Sequence, residues 1–341
     1  MTTHRFLIVR LGSLGDVVHT IPAAAALRAH FPDARIDWIV APRYLELLEL
    51  VQGLDARIGL DSRRVGAALS IVRDLRRAHY HAVIDCQGLL KSAVIARAVA
   101  GDRTIGFPRA HLREPAARIF YSQTPDPGDA RHVIAKTLAL LAPLGVRTPR
   151  IEFPLSIPVT DAGEQVSEAA GTGGYALINP GAAWPNKRWP PERFGALTHA
   201  LRERRRIRSV VLWGPGEEPL ARAVVDASQG SAVVAPPTTI TDLFALARRA
   251  ALMVSGDTGP LHIAAAVGVP LVALFGPTRP ERNGPWSASD VVVSRVEQCS
   301  CHYERRCRKA HPCIDDISIE EVVAAAERRL TASSGQSEPR G

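Results

Sequence analysis

The sequence is short of lysine, of aromatic residues and of long apolar runs. Only four of its 42 basic residues are lysines, and aromatic residues make up 5% of the 341 positions. No aromatic residues are interleaved with basic ones and no nucleic-acid motif is visible, so we expect no nucleic-acid partner. The first apolar run, Phe6–Leu11, is far too short for a signal peptide or a membrane span, which predicts a cytoplasmic protein.

The composition is that of a globular protein with an excess of positive charge. Hydrophobic residues make up 46% of the chain, and the length suits two domains rather than one. The formal net charge is +8, and the other 38 basic residues are arginines. Either genomic codon usage explains this bias, or the charge favours an anionic partner such as a lipid headgroup or a phosphorylated substrate.

Short apolar strands alternate with helices along the chain, which is typical of doubly wound α/β domains with parallel sheets. A proline-rich segment, Pro149–Pro158, divides the pattern. We therefore predict Rossmann-like domains at 1–157 and 158–331, the last helix being able to pack back on the first domain, and a disordered tail at 332–341. The predicted strands are Phe6–Leu11, Ile36–Val40, Ala82–Asp85, Tyr175–Asn179, Ser209–Trp213, Ala232–Val234, Leu252–Ser255 and Leu271–Phe275.

The loop Gly12–Asp16 follows the first strand and opens the first helix. Its G-x-x-G spacing does not satisfy the G-x-G-x-x-G fingerprint of dinucleotide binding. Asp16 is expected at the N-cap of the helix. It is either a simple capping residue or a carboxylate that accepts a proton from an attacking hydroxyl.

The stretch Ser255–His262 is the most informative in the chain. It leaves an apolar strand, turns on glycines and begins a helix with proline near its first position. The amides of Thr258 and Gly259, the Thr258 hydroxyl and His262 favour a diphosphate site, although an ordinary strand–helix turn has the same pattern.

Two further loops of the second half carry charged candidates. Lys187 is either a solvated lysine or a cation that neutralises a departing diphosphate in place of a metal ion. Glu217 and Glu218 follow a glycine turn, where an acid commonly binds ribose hydroxyls or simply favours a helix start. Because no clustered acids have metal-ligand spacing nearby, a metal-independent mechanism is favoured, with no cofactor.

Several motifs together resemble glycosyltransferase family 9, the ADP-heptose:lipopolysaccharide heptosyltransferases. The stretches that carry the resemblance are Arg10–Pro22, Tyr80–Ser92, Arg113–Pro115, Lys187–Trp189 and Gly256–His262. They span nearly the whole chain, and the second and third look most like heptosyltransferase I.

The resemblance implies a two-Rossmann GT-B fold and an inverting, metal-independent transfer of heptose from ADP-heptose to the Kdo/inner-core region of lipopolysaccharide. ADP-heptose is then a substrate, the acceptor is of the Kdo-lipid A type, and the enzyme works at the cytoplasmic face of the inner membrane. The catalytic residues implied are Asp16 and Lys187. Those implied for the donor are Gly15, Glu217, Glu218, Asp257, Thr258, Gly259 and His262. Those implied for the acceptor are Ser13, Arg63, Arg64, Asp85, Gln87, Lys91 and Arg113.

Two features depart from the pattern or leave it open. Ala182 and Ala183 stand where heptosyltransferase I enzymes often carry hydroxyl residues, so donor contacts there are in doubt. The C-terminal cysteines are expected to form either a structural metal site, or disulfide bonds, or to remain reduced thiols. The reducing environment of a cytoplasm favours reduced thiols. These cysteines are Cys299, Cys301, Cys307 and Cys313.

The residues also leave other functions open. A family 9 transferase could use another donor sugar or a second-heptose acceptor, and a two-Rossmann epimerase or hydrolase of nucleotide sugars would share the fold. A non-catalytic protein that binds anions or membranes would use the basic first domain.

Overall fold

The computed structural model describes residues 4–99, 101–170, 174–307 and 309–334. It divides the chain into two units, Met1–Ser156 and Ile157–Gly341, so the boundary lies next to the predicted one. Each unit is a parallel α/β sheet with helical connections, which confirms the predicted fold class. No helix in the described ranges is long and apolar enough to cross a membrane.

The first unit is built on a five-stranded sheet with the order β3-β2-β1-β4-β5. Its strands are β1 Arg5–Val9, β2 Arg35–Val40, β3 Ala56–Gly59, β4 Ala82–Asp85 and β5 Arg103–Ile105. Its helices are α1 Leu14–His30, α2 Leu45–Leu50, α3 Val65–Arg77, α4 Leu90–Val99 and α5 Val133–Ala139. The order reverses between β1 and β4, the position at which doubly wound sheets bind ligands.

The second unit has a six-stranded sheet with the order β11-β10-β9-β6-β7-β8. Its strands are β6 Tyr175–Asn179, β7 Arg208–Val211, β8 Ala232–Val234, β9 Leu252–Gly256, β10 Leu271–Phe275 and β11 Val291–Ser294. Its helices are α6 Asp161–Ala170, α7 Pro191–Arg205, α8 Glu218–Asp226, α9 Ile240–Arg249, α10 Gly259–Ala266, α11 Pro280–Asn283 and α12 Ile319–Ser334. Here the order reverses between β6 and β9.

Helix α12 packs within the second unit and extends into the predicted tail. It buries Val322 and Ala326 in the core of that unit, against α7 and the strands β9–β11. The buried ion pair of Arg329 with Asp290, 2.8 Å from Nε to Oδ1, ties the helix there. Because α12 continues to Ser334, residues 332–334 are helical rather than disordered. The rest of the expected tail, 335–341, lies outside the described residues.

Candidate functional site

Asp16 lies beside the point where the first sheet reverses its order. Ser13, not Asp16, is the N-cap of α1, and Asp16 occupies the third helical position in a capping box. The Asp16 Oδ2 accepts hydrogen bonds from the Ser13 amide (3.1 Å) and hydroxyl (3.0 Å). The expected N-cap position was wrong, and the S-x-x-D spacing is the sequence signal that would have corrected it.

Arg10 fixes the carboxylate of Asp16 from the other side. Its Nη2 lies 2.6 Å from the Asp16 Oδ1, and its Nη1 donates to the carbonyl oxygen of Cys86 after β4. The Arg10 side chain is 9% exposed and that of Asp16 is 33% exposed. The loops after β1 and β4 thus hold one carboxylate in a set position that solvent can still reach. Sequence reasoning gave Arg10 no role, although the motif contained it.

Close packing also constrains this loop. A Cβ atom on Gly12 would lie 2.8 Å from the Cε2 atom of Tyr44, so a larger residue would displace the ring. The Gln87 Oε1 accepts from the Leu11 amide at 2.7 Å. The side-chain oxygen of Gln87 therefore supports the loop that carries Asp16.

Asp85 is completely buried beneath the loop after β4. Its Oδ1 accepts from the amides of Gln87 (2.9 Å) and Gly88 (3.2 Å). Its Oδ2 accepts from Ser92 Oγ (2.9 Å) and the Tyr121 hydroxyl (2.7 Å). Burial raises the pKa of the Asp85 carboxyl above its usual range. As placed, Asp85 supports the loop after β4, and its expected role in binding the acceptor stays a prediction.

The basic residues predicted for the acceptor lie at the surface of the first unit. Arg63 and Arg64 precede α3, with side chains 91% and 82% exposed, and Arg63 bonds Asp61. Lys91 and Arg113 are also exposed. Of the remaining residues predicted in this unit, Ser13 is exposed and Gly15 is buried in the first turn of α1.

In the second unit, Asp257 is the centre of a buried polar cluster at the end of β9. The Lys187 Nζ lies 2.5 Å from its Oδ2, which also accepts from the Thr278 hydroxyl at 2.8 Å. Its Oδ1 accepts from the Asn283 side-chain amide and lies 3.5 Å from the His262 Nε2. Asp257 is only 7% exposed. As placed, both oxygens accept from the protein's own donors, and the expected contact with donor sugar hydroxyls stays a prediction.

The environment of Asp257 keeps it ionised. Burial alone would raise its pKa, but the hydrogen bond from His262 and the charge of Lys187 outweigh burial and hold that pKa well below its usual range. Lys187 also lies over the Trp184 ring, with Nζ 4.7 Å from the centroid. Sequence reasoning missed Thr278 and Asn283, because they come to Asp257 from beyond the neighbouring strand β10.

The start of α10 is held to the end of β6. The Asn179 Nδ2 donates to the Thr258 Oγ1 (2.9 Å) and to the Ser255 Oγ (3.0 Å), and Thr258 is the N-cap of α10. The Thr258 hydroxyl thus accepts a hydrogen bond from Asn179, and its expected contact with a diphosphate stays a prediction. The amides of the first turn, at Gly259, retain the arrangement that favours an anion.

The structure separates the two candidate acids after β7. Glu217 accepts from the Gly214 amide at 3.2 Å and lies 3.5 Å from the Arg188 guanidinium. A Cβ atom on Gly181 would lie 2.1 Å from the Glu217 Oε2, so this carboxylate packs directly on the loop after β6. Glu218 instead pairs with Arg222 one helical turn away, at 2.5 Å. Of the two, Glu217 is therefore the one held at the edge of the sheet.

The C-terminal cysteines support the loop that carries Lys187. Asn186 donates to the Glu304 carbonyl at 2.9 Å within the cysteine segment, and the Trp189 indole donates to the Ile317 carbonyl at 2.9 Å. All the cysteines are free; Cys299, Cys301 and Cys313 are buried, and Cys307 packs against them.

Burial, reinforced by the neighbouring thiols, raises the pKa of Cys301 to about 12 and that of Cys313 to about 12. Within the described ranges, no group of three or more histidine, cysteine or acidic side chains is arranged to hold a metal ion. Together the four C-terminal cysteine side chains form a small apolar cluster.

The chain resembles known proteins over nearly its whole length. Residues 68–312 match the family described as glycosyltransferase family 9 (heptosyltransferase). The chain is 30% identical over 317 residues to lipopolysaccharide heptosyltransferase 1 of Pseudomonas aeruginosa, covering 89% of this chain and 87% of that protein.

Solved structures share the fold. A family 9 glycosyl transferase from Veillonella parvula has a TM-score of 0.81 at 24% identity, covering 96% of this chain and 97% of its own. The E. coli heptosyltransferase WaaC with ADP has a TM-score of 0.74 at 24% identity, covering 96% and 99%. The predicted GT-B class, with two Rossmann-like domains, is thereby confirmed.

Proposed function

The chain belongs to glycosyltransferase family 9, and on that premise we propose that it moves a heptose from ADP-heptose to the Kdo/inner-core region of lipopolysaccharide. The transfer inverts the anomeric centre and needs neither a metal nor another cofactor. The observation that carries the proposal is the 30% identity to a lipopolysaccharide heptosyltransferase 1 across 89% of the chain.

In the proposed reaction Asp16 is the base. It accepts the proton of the acceptor hydroxyl while that oxygen attacks the anomeric carbon of the donor. The bond from this carbon to the diphosphate oxygen breaks, its electron pair stays on that oxygen, and ADP leaves. A single displacement inverts the anomeric configuration. The contacts of Asp16 with Arg10 and Ser13 support this role, because they orient a carboxylate that remains partly exposed.

We propose that the leaving diphosphate binds at the start of α10, next to Lys187. The first amides of a helix and a nearby ammonium group stabilise negative charge that grows as the bond breaks. Lys187 supports this assignment because Asp257 and Trp184 hold its ammonium group at the end of β9. Glu217 is proposed to bind the ribose. The positive charge of Lys187 is proposed to take the place of a metal ion.

The acceptor is proposed to bind the first unit. Arg63, Arg64, Lys91 and Arg113 are exposed cations, and guanidinium groups suit the carboxylates of Kdo and the phosphates of lipid A. The transfer is proposed to take place at the cytoplasmic face of the inner membrane, where such an acceptor is anchored.

The experiment is to incubate the protein with a panel of nucleotide sugars and Kdo-lipid A acceptors and to identify products by mass spectrometry. Heptosylated acceptor is expected from ADP-heptose, with little donor consumed when the acceptor is omitted. Preference for another donor, or for an acceptor that already carries one heptose, would favour the alternative transferases. Donor turnover without acceptor would favour an epimerase or hydrolase.

The role of Asp16 is tested by Asp16→Asn, with Asp242→Asn as the matched control. Asp242 occupies the same third helical position at the start of α9, and its Oδ2 accepts from the Thr239 amide and hydroxyl, both at 2.9 Å. D16N is expected to lose at least a hundredfold in kcat while ADP binding is retained, whereas D242N keeps its activity. Equal activity of D16N and the natural protein would show that another group is the base.

A further inference from the structure

The first unit exposes a concentration of large apolar side chains on three neighbouring elements. Val65 and Leu69 on α3 are 65% and 63% exposed, and Ile119 is 78% exposed. Leu90 and Val94, on α4, are 42% and 45% exposed. Helix α4 packs against α3 and against the 3-10 helix Pro115–Phe120 that carries Ile119. Exposed apolar residues grouped in this way are typical of an interaction surface.

Helix α3 has a second apolar face besides the one it buries. Ile71, Val72 and Leu75 pack on the core of the first unit. Val65 and Leu69 are four residues apart, so they lie on one stripe of the helix, and this stripe continues into Arg73. The core therefore does not account for Val65 and Leu69.

The exposed apolar residues that begin α3 and α4 lie at the same edge of the sheet as Asp16. Helices α1, α3 and α4 each follow a strand of the same parallel sheet. Their first turns consequently lie at one edge of that sheet, the edge at which the strands end. Val65 and Leu90 begin α3 and α4 at this edge, and Asp16 lies in the first turn of α1.

The charge around the apolar residues is positive. The segment Asp61–Arg77 contains five arginines and two aspartates. Arg63 and Arg64 directly precede Val65 and are exposed. Apolar side chains flanked by arginines on one helix surface are complementary to a bilayer with anionic headgroups, because the apolar groups enter the interface and the guanidinium groups bind phosphates.

We propose that Val65, Leu69, Leu90, Val94 and Ile119 form a docking surface for an anionic lipid bilayer. This inference rests on the proposed function in one respect: docking at this edge brings Asp16 to an acceptor anchored in the same bilayer. Each apolar side chain transferred into the interface and each nearby arginine adds to binding.

The test is sedimentation of the full chain with vesicles, without substrates, so that it does not depend on the transferase assignment. Vesicles of phosphatidylglycerol and phosphatidylethanolamine are compared with vesicles of phosphatidylcholine alone. The natural protein is expected to bind the anionic vesicles preferentially. V65S/L69S and R63Q/R64Q are each expected to bind them on the order of tenfold more weakly. The control V159S/V292S, which removes exposed valines of the second unit, is expected to bind unchanged.

A second measurement separates docking from chemistry. V65S/L69S is expected to transfer sugar to a deacylated, soluble acceptor at the natural rate, because that acceptor needs no bilayer. Natural-strength vesicle binding by V65S/L69S, or equal binding of the natural protein to neutral vesicles, would overturn the proposal. An equal loss of activity on the soluble acceptor would overturn it too, since it would place these residues in the acceptor site.

Discussion

The ion pair between Lys187 and Asp257 gives the sharpest test of the second site. The Nζ to Oδ2 distance is 2.5 Å, and the side chains are 15% and 5% exposed. Removing one partner of a buried pair costs about 3–5 kcal/mol, because the other charge stays uncompensated. Since Lys187 keeps some solvent contact and lies over Trp184, we expect Asp257→Asn to lower the free energy of unfolding by about 2–3 kcal/mol.

The change to asparagine removes the charge and preserves the hydrogen bonds of Asp257 other than the one from His262. The Asn283 Oδ1 is buried without a partner in the structure. Rotation of the Asn283 amide would let that oxygen accept from the amide that D257N introduces. The other side of the new amide still presents an oxygen to Lys187 and Thr278. The loss of stability should therefore come mainly from the unpaired ammonium group.

A double-mutant cycle measures this coupling. D257N, K187M and the double variant are unfolded in urea, followed by circular dichroism. The double variant is expected to be more stable than the sum of the single effects predicts, by about 1.5–3 kcal/mol. The exposed pair Glu218–Arg222 is the control, with an expected coupling of about 0.3–0.5 kcal/mol. Additive effects of the changes at 187 and 257 would refute the argument that Asp257 compensates the lysine.

Three further predictions concern the other carboxylates. Because the pKa of Asp85 is raised by burial, its contribution to stability is lost as pH rises from the pKa of an unfolded aspartate through that of the folded protein; the melting temperature of D85N relative to the natural protein should therefore be higher at about pH 8 than at about pH 4, and a pH-independent difference would contradict this. Arg10→Gln removes the partner of Asp16 and should lower kcat by about 10–100-fold with the KM for donor unchanged, while a loss confined to KM would argue against a positioning role. Glu217→Gln should weaken ADP binding by about tenfold in calorimetry, whereas Glu218→Gln, the matched control, should not; equal effects would remove the distinction between them.

The alternation of apolar strands and helices was enough to predict two doubly wound units and the division near residue 157. Long or fully apolar elements were predicted well, because a run of apolar residues by itself indicates that the segment is buried. Strands β3, β5 and β11 were missed. Strand β3 contains an arginine and is only partly buried, β5 has three residues, and β11 is a short, partly buried strand at the edge of its sheet. Such strands form because neighbouring strands supply their hydrogen bonds. The apolar pattern of a single segment does not show which strands will be its neighbours.

The loops that carry the candidate site were also readable from the sequence, because glycines and capping residues at strand ends follow local rules. The side chains that contact those residues could not be predicted from the sequence. Arg10 meets Asp16 while also bonding the chain at Cys86, and Asn283 meets Asp257 from beyond another strand.

What the sequence determined by itself was the kind of fold and the loops from which chemistry can come. Tertiary structure alone decided that Asp85 is buried beneath its loop, that Glu217 rather than Glu218 packs on the neighbouring loop, and that Lys187 is paired with Asp257. These outcomes depend on which strands are neighbours in the sheet. Adjacent parallel strands bring loops that are far apart in sequence to one edge, and only there do charges and hydrogen-bonding groups find their partners.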